Sequence, residues 1–155
     1  MKLVHNISLS VFVKFGEDEE RIRKALLSLV PLDLEKEKLK VERQVTHGFE
    51  HKIIVLGMSV SKERHARAVL EFLLGKLTKD QKRLILIQEN RLDDECFFYL
   101  RFDKNALLGD VGAGGGGEGC LELTDSGDCF HVKMSIAAYP KKREAAVVLL
   151  RKIFS

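Results

Sequence analysis

Tryptophan is absent, and proline occurs only at Pro31 and Pro140. With no Pro/Ser-rich stretch, the 155 residues offer no linker at which to divide them, and one domain is expected over 1–155. No apolar run approaches the roughly 18 residues of a bilayer span, and the N-terminus has no signal-peptide core. These absences exclude a membrane partner from the expectations and favour a cytoplasmic location. Cysteine is sparse: Cys96, Cys120 and Cys129 are odd in number and contain no C-x-x-C pair, so neither a disulfide framework nor a zinc site is indicated, and reduced, partly buried thiols are expected. Nor does one sign of charge dominate. Lys and Arg number 26 against 23 Asp and Glu, a net charge of +3. That balance admits an acidic partner such as RNA, but the argument must rest on where the cations fall.

What is present is the composition of a soluble globular protein, 45% apolar and 32% charged. From Leu3 to Phe15, the residues Ile7, Leu9, Val11, Val13 and Phe15 alternate with Ser8, Ser10, Phe12 and Lys14, the period-two pattern of a strand with one buried face. Gly16 breaks it. The acidic residues Glu17 to Glu20 suit the start of a helix whose inner face is Ile22, Ala25, Leu26 and Leu29 and which ends before Pro31. A second strand is expected near Leu39, Val41 and Val45, joined by Thr46-His47-Gly48 to a third over Lys52 to Val60. Ser61 is placed to cap a helix with Ala66, Val69, Leu70 and Leu73 inward. Thr78 and Gln81 have capping-box spacing and start another, extending to about Asn90. A fourth strand carries Cys96, Phe98, Leu100 and Phe102 on one face and Phe97, Tyr99 and Arg101 on the other. Asp103 then caps a short helical turn.

Residues 109–119 form a glycine-rich loop, expected to be flexible because glycine has the most backbone entropy to lose. The segments CLEL and CFHVKMSI, separated by TDSGD, are expected to form a second hairpin. The last of these strands alternates Phe130, Val132, Met134 and Ile136 with His131, Lys133 and Ser135. Pro140 suits the first position of a terminal helix that buries Ala146, Leu149, Leu150 and Ile153. The order β-α-β-β-α-α-β-β-β-α predicts an α+β two-layer sandwich, with helices on one face of a mainly antiparallel or mixed sheet.

No constellation specifies catalysis. Gly112, Gly114 and Gly117 match G-x-G-x-x-G in letter, but a dinucleotide loop needs a helix N-terminus after it, and here a short strand follows. His47 and His51 are four apart across a turn and lack a third metal ligand. Cys129 and His131 share one strand face, as packing partners do. Asp93, Asp94, Asp125 and Asp128 sit in turns, where Asp forms local hydrogen bonds. No catalytic residue, metal ligand or cofactor is assigned.

The cations are more coherent. Lys14, Arg101 and Lys133 fall in the polar register of their strands, and Tyr99 accompanies Arg101. If helices cover the opposite face, these residues share an open surface of cations and an aromatic ring, which suits RNA phosphates and bases. Phe97 lies in the same register. Lys141, Lys142 and Arg143 begin the terminal helix, where the macrodipole disfavours cations by about 0.3–1 kcal/mol each. With Lys104, they complete the expected RNA-contacting set.

The segments HNISLSVFVK, GEDEERIRKAL, THGFEHKIIVL, FFYLRFDKNALLGD and FHVKMSIAAYPKKREAA, in this order over most of the chain, resemble the archaeal RNA-binding family of predicted exosome subunits. That family's fold is similar to the ribosomal protein that binds 5S RNA. The most specific residues are LRFDKNAL and IAAYPKKRE, and the glycine-rich insertion after Leu108 departs from the family. The resemblance implies RNA binding in RNA processing, exosome or ribosome-linked work, without catalytic residues to carry over. A protein-interaction or homodimerisation module, burying Phe12 or Phe97, is the alternative.

Overall fold

A computed structural model describes residues 2–48, 50–109, 119–125 and 127–155. Five strands form one sheet: β1 (Val4–Val13), β2 (Glu42–His47), β3 (Lys52–Val60), β4 (Phe97–Asp103) and β5 (Cys129–Ile136). Their spatial order is β2-β3-β1-β5-β4, and every neighbouring pair is antiparallel. The helices are α1 (Glu19–Leu27), α2 (Glu63–Lys76), α3 (Lys79–Ile87), α4 (Lys104–Leu108) and α5 (Arg143–Phe154). The expected α+β arrangement is therefore found, with a purely antiparallel sheet.

The alternation read from the sequence is the alternation of burial. Ile7, Leu9, Val11 and Val13 of β1, Leu56, Met58 and Val60 of β3, Phe98, Leu100 and Phe102 of β4, and Val132, Met134 and Ile136 of β5 are all buried. They share a core with Ile22 and Leu26 of α1, Val69 and Leu73 of α2, Ile85 of α3, and Leu150, Ile153 and Phe154 of α5. The Phe98 and Phe154 rings meet at 5.6 Å between centroids. Full burial of such a side chain contributes about 1.5–3 kcal/mol, so the helix layer is held to this face by many comparable contacts.

The helix ends follow the local chemistry. Asp18 accepts from the Arg21 amide, the Thr78–Gln81 capping box is complete, and Asp103 accepts from the Ala106 amide. Two ends differ from expectation. Lys62, not Ser61, is the N-cap of α2, without a side-chain bond. In the terminal segment Lys142 is extended (φ −136°, ψ 150°), so α5 begins at Arg143 and Pro140 precedes it. Lys141 and Lys142 therefore lie outside the helix, and only Arg143 occupies its first turn.

Two segments depart from the strand expectation. Lys38 has φ 55°, which breaks the extended chain before Leu39; Leu39 and Val41 pack against the core from a loop, and β2 starts only at Glu42. Residues 120–125 do not form a hairpin with β5. Leu123 makes a single bridge to Phe102, with the Asp103 amide donating to the Glu122 carbonyl and the Thr124 amide to that of Arg101. The segment thus covers the outer edge of β4. The glycine-rich stretch falls mainly on residues 110–118, outside the described residues; Gly109 ends α4 at φ 79°, a conformation that favours glycine.

Candidate nucleic-acid interface

The sheet face opposite the helices carries the second half of each alternation. Register aligns its residues across the strands: Tyr99 opposite Lys133, Lys133 opposite Ser8, and Ser8 opposite Ser59. One row along, Arg101 lies opposite His131, His131 opposite Ser10, and Ser10 opposite Gly57. Phe12 follows on β1, opposite Val55 and 45% exposed. Small serine and glycine side chains occupy the middle of this face, so the larger groups stand at its margins.

Lys133 is held by aromatic faces. Its Nζ lies 4.1 Å from the Phe97 ring centre and 5.9 Å from that of Tyr99, within the range at which a ring quadrupole attracts a cation. The Tyr99 hydroxyl donates to Asp93 Oδ2 at 2.8 Å, while the Phe97 and Glu95 amides donate to Asp93 Oδ1. Desolvation raises the Asp93 pKa, but these donors and the nearby Lys133 outweigh it, and the carboxyl stays below its ordinary value. The same hydrogen bond, followed by burial, pushes the Tyr99 phenol up. Tyr99 is therefore a neutral ring fixed at its hydroxyl end.

Beside it, burial and then the Arg101 charge push His131 below its usual value, so the imidazole is neutral at neutral pH. Its Nε2 is 3.5 Å from Cys129 Sγ, whose thiol burial pushes up. Cys129 is thus a buried thiol whose ionisation is opposed by its surroundings. Among the described residues, no group of three or more His, Cys, Asp or Glu is arranged to hold a metal ion, and no helix is long and apolar enough to cross a membrane.

Of the residues expected to contact RNA, the structure brings together Tyr99, Arg101 and Lys133. Lys14 stands at the end of β1, where its Nζ pairs with Asp128 at 3.3 Å while much of the side chain remains exposed. Lys104 departs from expectation. It is 1% exposed, and its Nζ donates to the Phe12 carbonyl at 2.7 Å, Glu17 at 2.8 Å and Asp128 at 3.2 Å. This ammonium cross-links the ends of β1, α4 and β5, and it has no face left for a phosphate.

Lys141, Lys142 and Arg143 do not join Arg101 either. Lys141 pairs with Glu95 at 3.5 Å, just before β4, and Arg143 donates to the Glu89 carbonyl. Residues 101–104 occupy the other end of β4, roughly 20 Å away for a seven-residue strand. Two basic areas result, one on the sheet face and one at its margin. Phe12 and His131 are not among the residues expected to contact RNA, although their period-two register places both on the open face.

Known proteins share this sequence pattern and fold. The RNA binding family matches residues 6–136. The chain belongs to this family. An RNA-binding protein of Pyrococcus abyssi is 33% identical over 151 residues, covering 96% of this chain and 92% of the relative. Among solved structures, a DUF54 protein from Methanothermobacter thermautotrophicus is 30% identical and superimposes with a TM-score of 0.75 over 99% of both chains. A DUF54 protein from Sulfolobus solfataricus, 22% identical, shares the fold at a TM-score of 0.70, covering 95% of this chain and 98% of its own. The sheet-face residues lie within the matched span, and Lys141, Lys142 and Arg143 lie beyond its end.

Proposed function

We propose that this chain is a non-catalytic RNA-binding protein that receives RNA on the open face of its sheet. Lys133 and Arg101 contact phosphates, Tyr99 offers a ring fixed in place, and Lys14 extends the track along β1. Lys141 and Lys142 lie at its margin and add sequence-independent attraction. The observation that carries the reading is the Phe97–Lys133–Tyr99 cluster beside Arg101 on the face that no helix covers among the described residues. Membership of the RNA binding family and the designation of the Pyrococcus relative support it.

A salt titration of single-stranded RNA binding tests it. Log affinity is expected to fall with log salt at a slope of roughly −0.7 per phosphate contacted. A folded Arg101→Ala/Lys133→Ala variant should bind more weakly to all sequences, with a shallower slope; unchanged affinity and slope would remove the site. The resemblance to predicted exosome subunits and to the 5S-RNA-binding ribosomal protein supports a cytoplasmic role in RNA processing or at the ribosome. Co-purification of exosome or ribosomal components with the tagged chain, lost in the same variant, checks that placement.

A second reading is supported by β2, whose six residues are all exposed and whose outer edge has no partner strand among the described residues. Such an edge can pair with another chain, which would make the protein a dimerisation or protein-interaction module. Sedimentation over a wide concentration range decides on self-association.

A further inference from the structure

At the far end of β1, beyond the last core residue Val13, Phe15 is 75% exposed. Its ring stacks on His51, with centroids 4.4 Å apart and planes inclined by 14°. One face of Phe15 is therefore against the imidazole, and the high exposure leaves the other face open. An open depression of about 490 Å³ adjoins the pair, bordered by Lys14, Glu50, Lys52 and Ile53.

Three features select an occupant. The platform is flat and aromatic, so it suits another planar ring better than an aliphatic chain. Lys14 and Lys52 flank it; Lys14 also pairs with Asp128 at 3.3 Å, whereas Lys52 has no ion pair among the described residues, so Lys52 in particular can receive an anion bearing that ring. It is also continuous with the open sheet face. The β1–β3 ladder ends beside it at the Val13–Ile54 pair, and Phe12, one residue before Val13, stands on the open face with its ring edge-on to His131 at 6.2 Å. From Ser8, opposite Lys133, to Lys14 the strand runs roughly 20 Å.

We infer that the Phe15–His51 pair is a stacking platform for an unpaired nucleobase of an RNA strand, with Lys14 and Lys52 holding the adjacent phosphates. This rests on the RNA-binding reading and specifies the form of RNA. A duplex keeps its base faces stacked within the helix, so the platform selects single strands, loops or ends.

The test uses the full-length chain and a single-stranded RNA carrying the fluorescent base 2-aminopurine. Binding to the unaltered protein should change the fluorophore's emission as it stacks. Phe15→Leu, which keeps an apolar side chain but removes the ring, should abolish that change and weaken binding about tenfold; Phe15→Tyr should preserve both. The same RNA annealed to its complement should bind with no sensitivity to Phe15→Leu. If the unaltered protein binds single strands with no emission change and Phe15→Leu binds equally well, the platform is overturned while the sheet-face reading stands. If it binds no RNA even at low salt, both fall.

Discussion

Lys133 rests its ammonium 4.1 Å from the centre of the Phe97 ring, on the sheet face left open by the helices. A cation so placed is partly satisfied without an acidic partner and remains available to a phosphate. The removal of Phe97 should therefore weaken RNA binding through Lys133. Phe97→Leu is expected to lower affinity by a few-fold, from about 0.5–1 kcal/mol of lost cation–π attraction, and to leave the Lys133→Ala variant unaffected. A double-mutant cycle on RNA affinity measures the coupling.

Tyr99 offers a spectroscopic check on the same cluster. Its hydroxyl donates to the Asp93 carboxylate, which favours the neutral phenol and opposes ionisation. In Asp93→Asn the Tyr99 pKa should fall back toward the ordinary value of about 10. Ultraviolet titration in a Tyr139→Phe background, which leaves Tyr99 as the single tyrosine, reads this directly.

Replacing Lys104 by Met should destabilise the fold and spare RNA binding in the folded fraction. The substitution removes the donor to the Phe12 carbonyl and leaves Glu17 and Asp128 facing each other. Losing one partner of a fully buried pair costs about 3–5 kcal/mol. Both carboxylates here are about 30% exposed and can hydrate, so roughly 1–3 kcal/mol is expected. Urea denaturation and RNA titration of the same variant separate the two roles.

Acid stability should depend on Glu37. The Arg64 guanidinium and the His65 imidazole, both hydrogen-bonded to its carboxylate, hold its pKa at about 2 against an ordinary 4.5. A carboxyl with a depressed folded pKa contributes its stability in full above the unfolded value. That contribution is lost progressively from about pH 4.5 down to about pH 2. Glu37→Gln should flatten this part of the stability profile and lower stability at neutral pH, as followed by denaturation at a series of pH values.

The strands were legible because burial on one face of a sheet writes itself into the sequence at a period of two. The same parity assigns Tyr99, Arg101 and Lys133 to the face opposite Phe98, Leu100 and Val132. Capping chemistry at Thr78 and Asp103 was equally local and equally legible. Lys104 was not. Its burial depends on Phe12, Glu17 and Asp128 converging from positions 24 to 92 residues away, which no local pattern records. The segment 120–125 looked like a strand by composition, yet its alignment with β4 instead of β5 is a matter of long-range register.

By itself, then, the sequence determined which residues alternate, where the Thr78 and Asp103 caps start α3 and α4, and which cations stand in polar register, because each depends on neighbours within one turn or one strand. Only the tertiary structure decided which cations meet. Antiparallel pairing of β4 with β5 set Tyr99 and Arg101 beside Lys133 and His131, carried Lys141 to the opposite end of β4, and turned Lys104 into the interior. The physical reason is that a strand's period fixes the face of each side chain, whereas its position along the sheet is set by the register of partners distant in sequence.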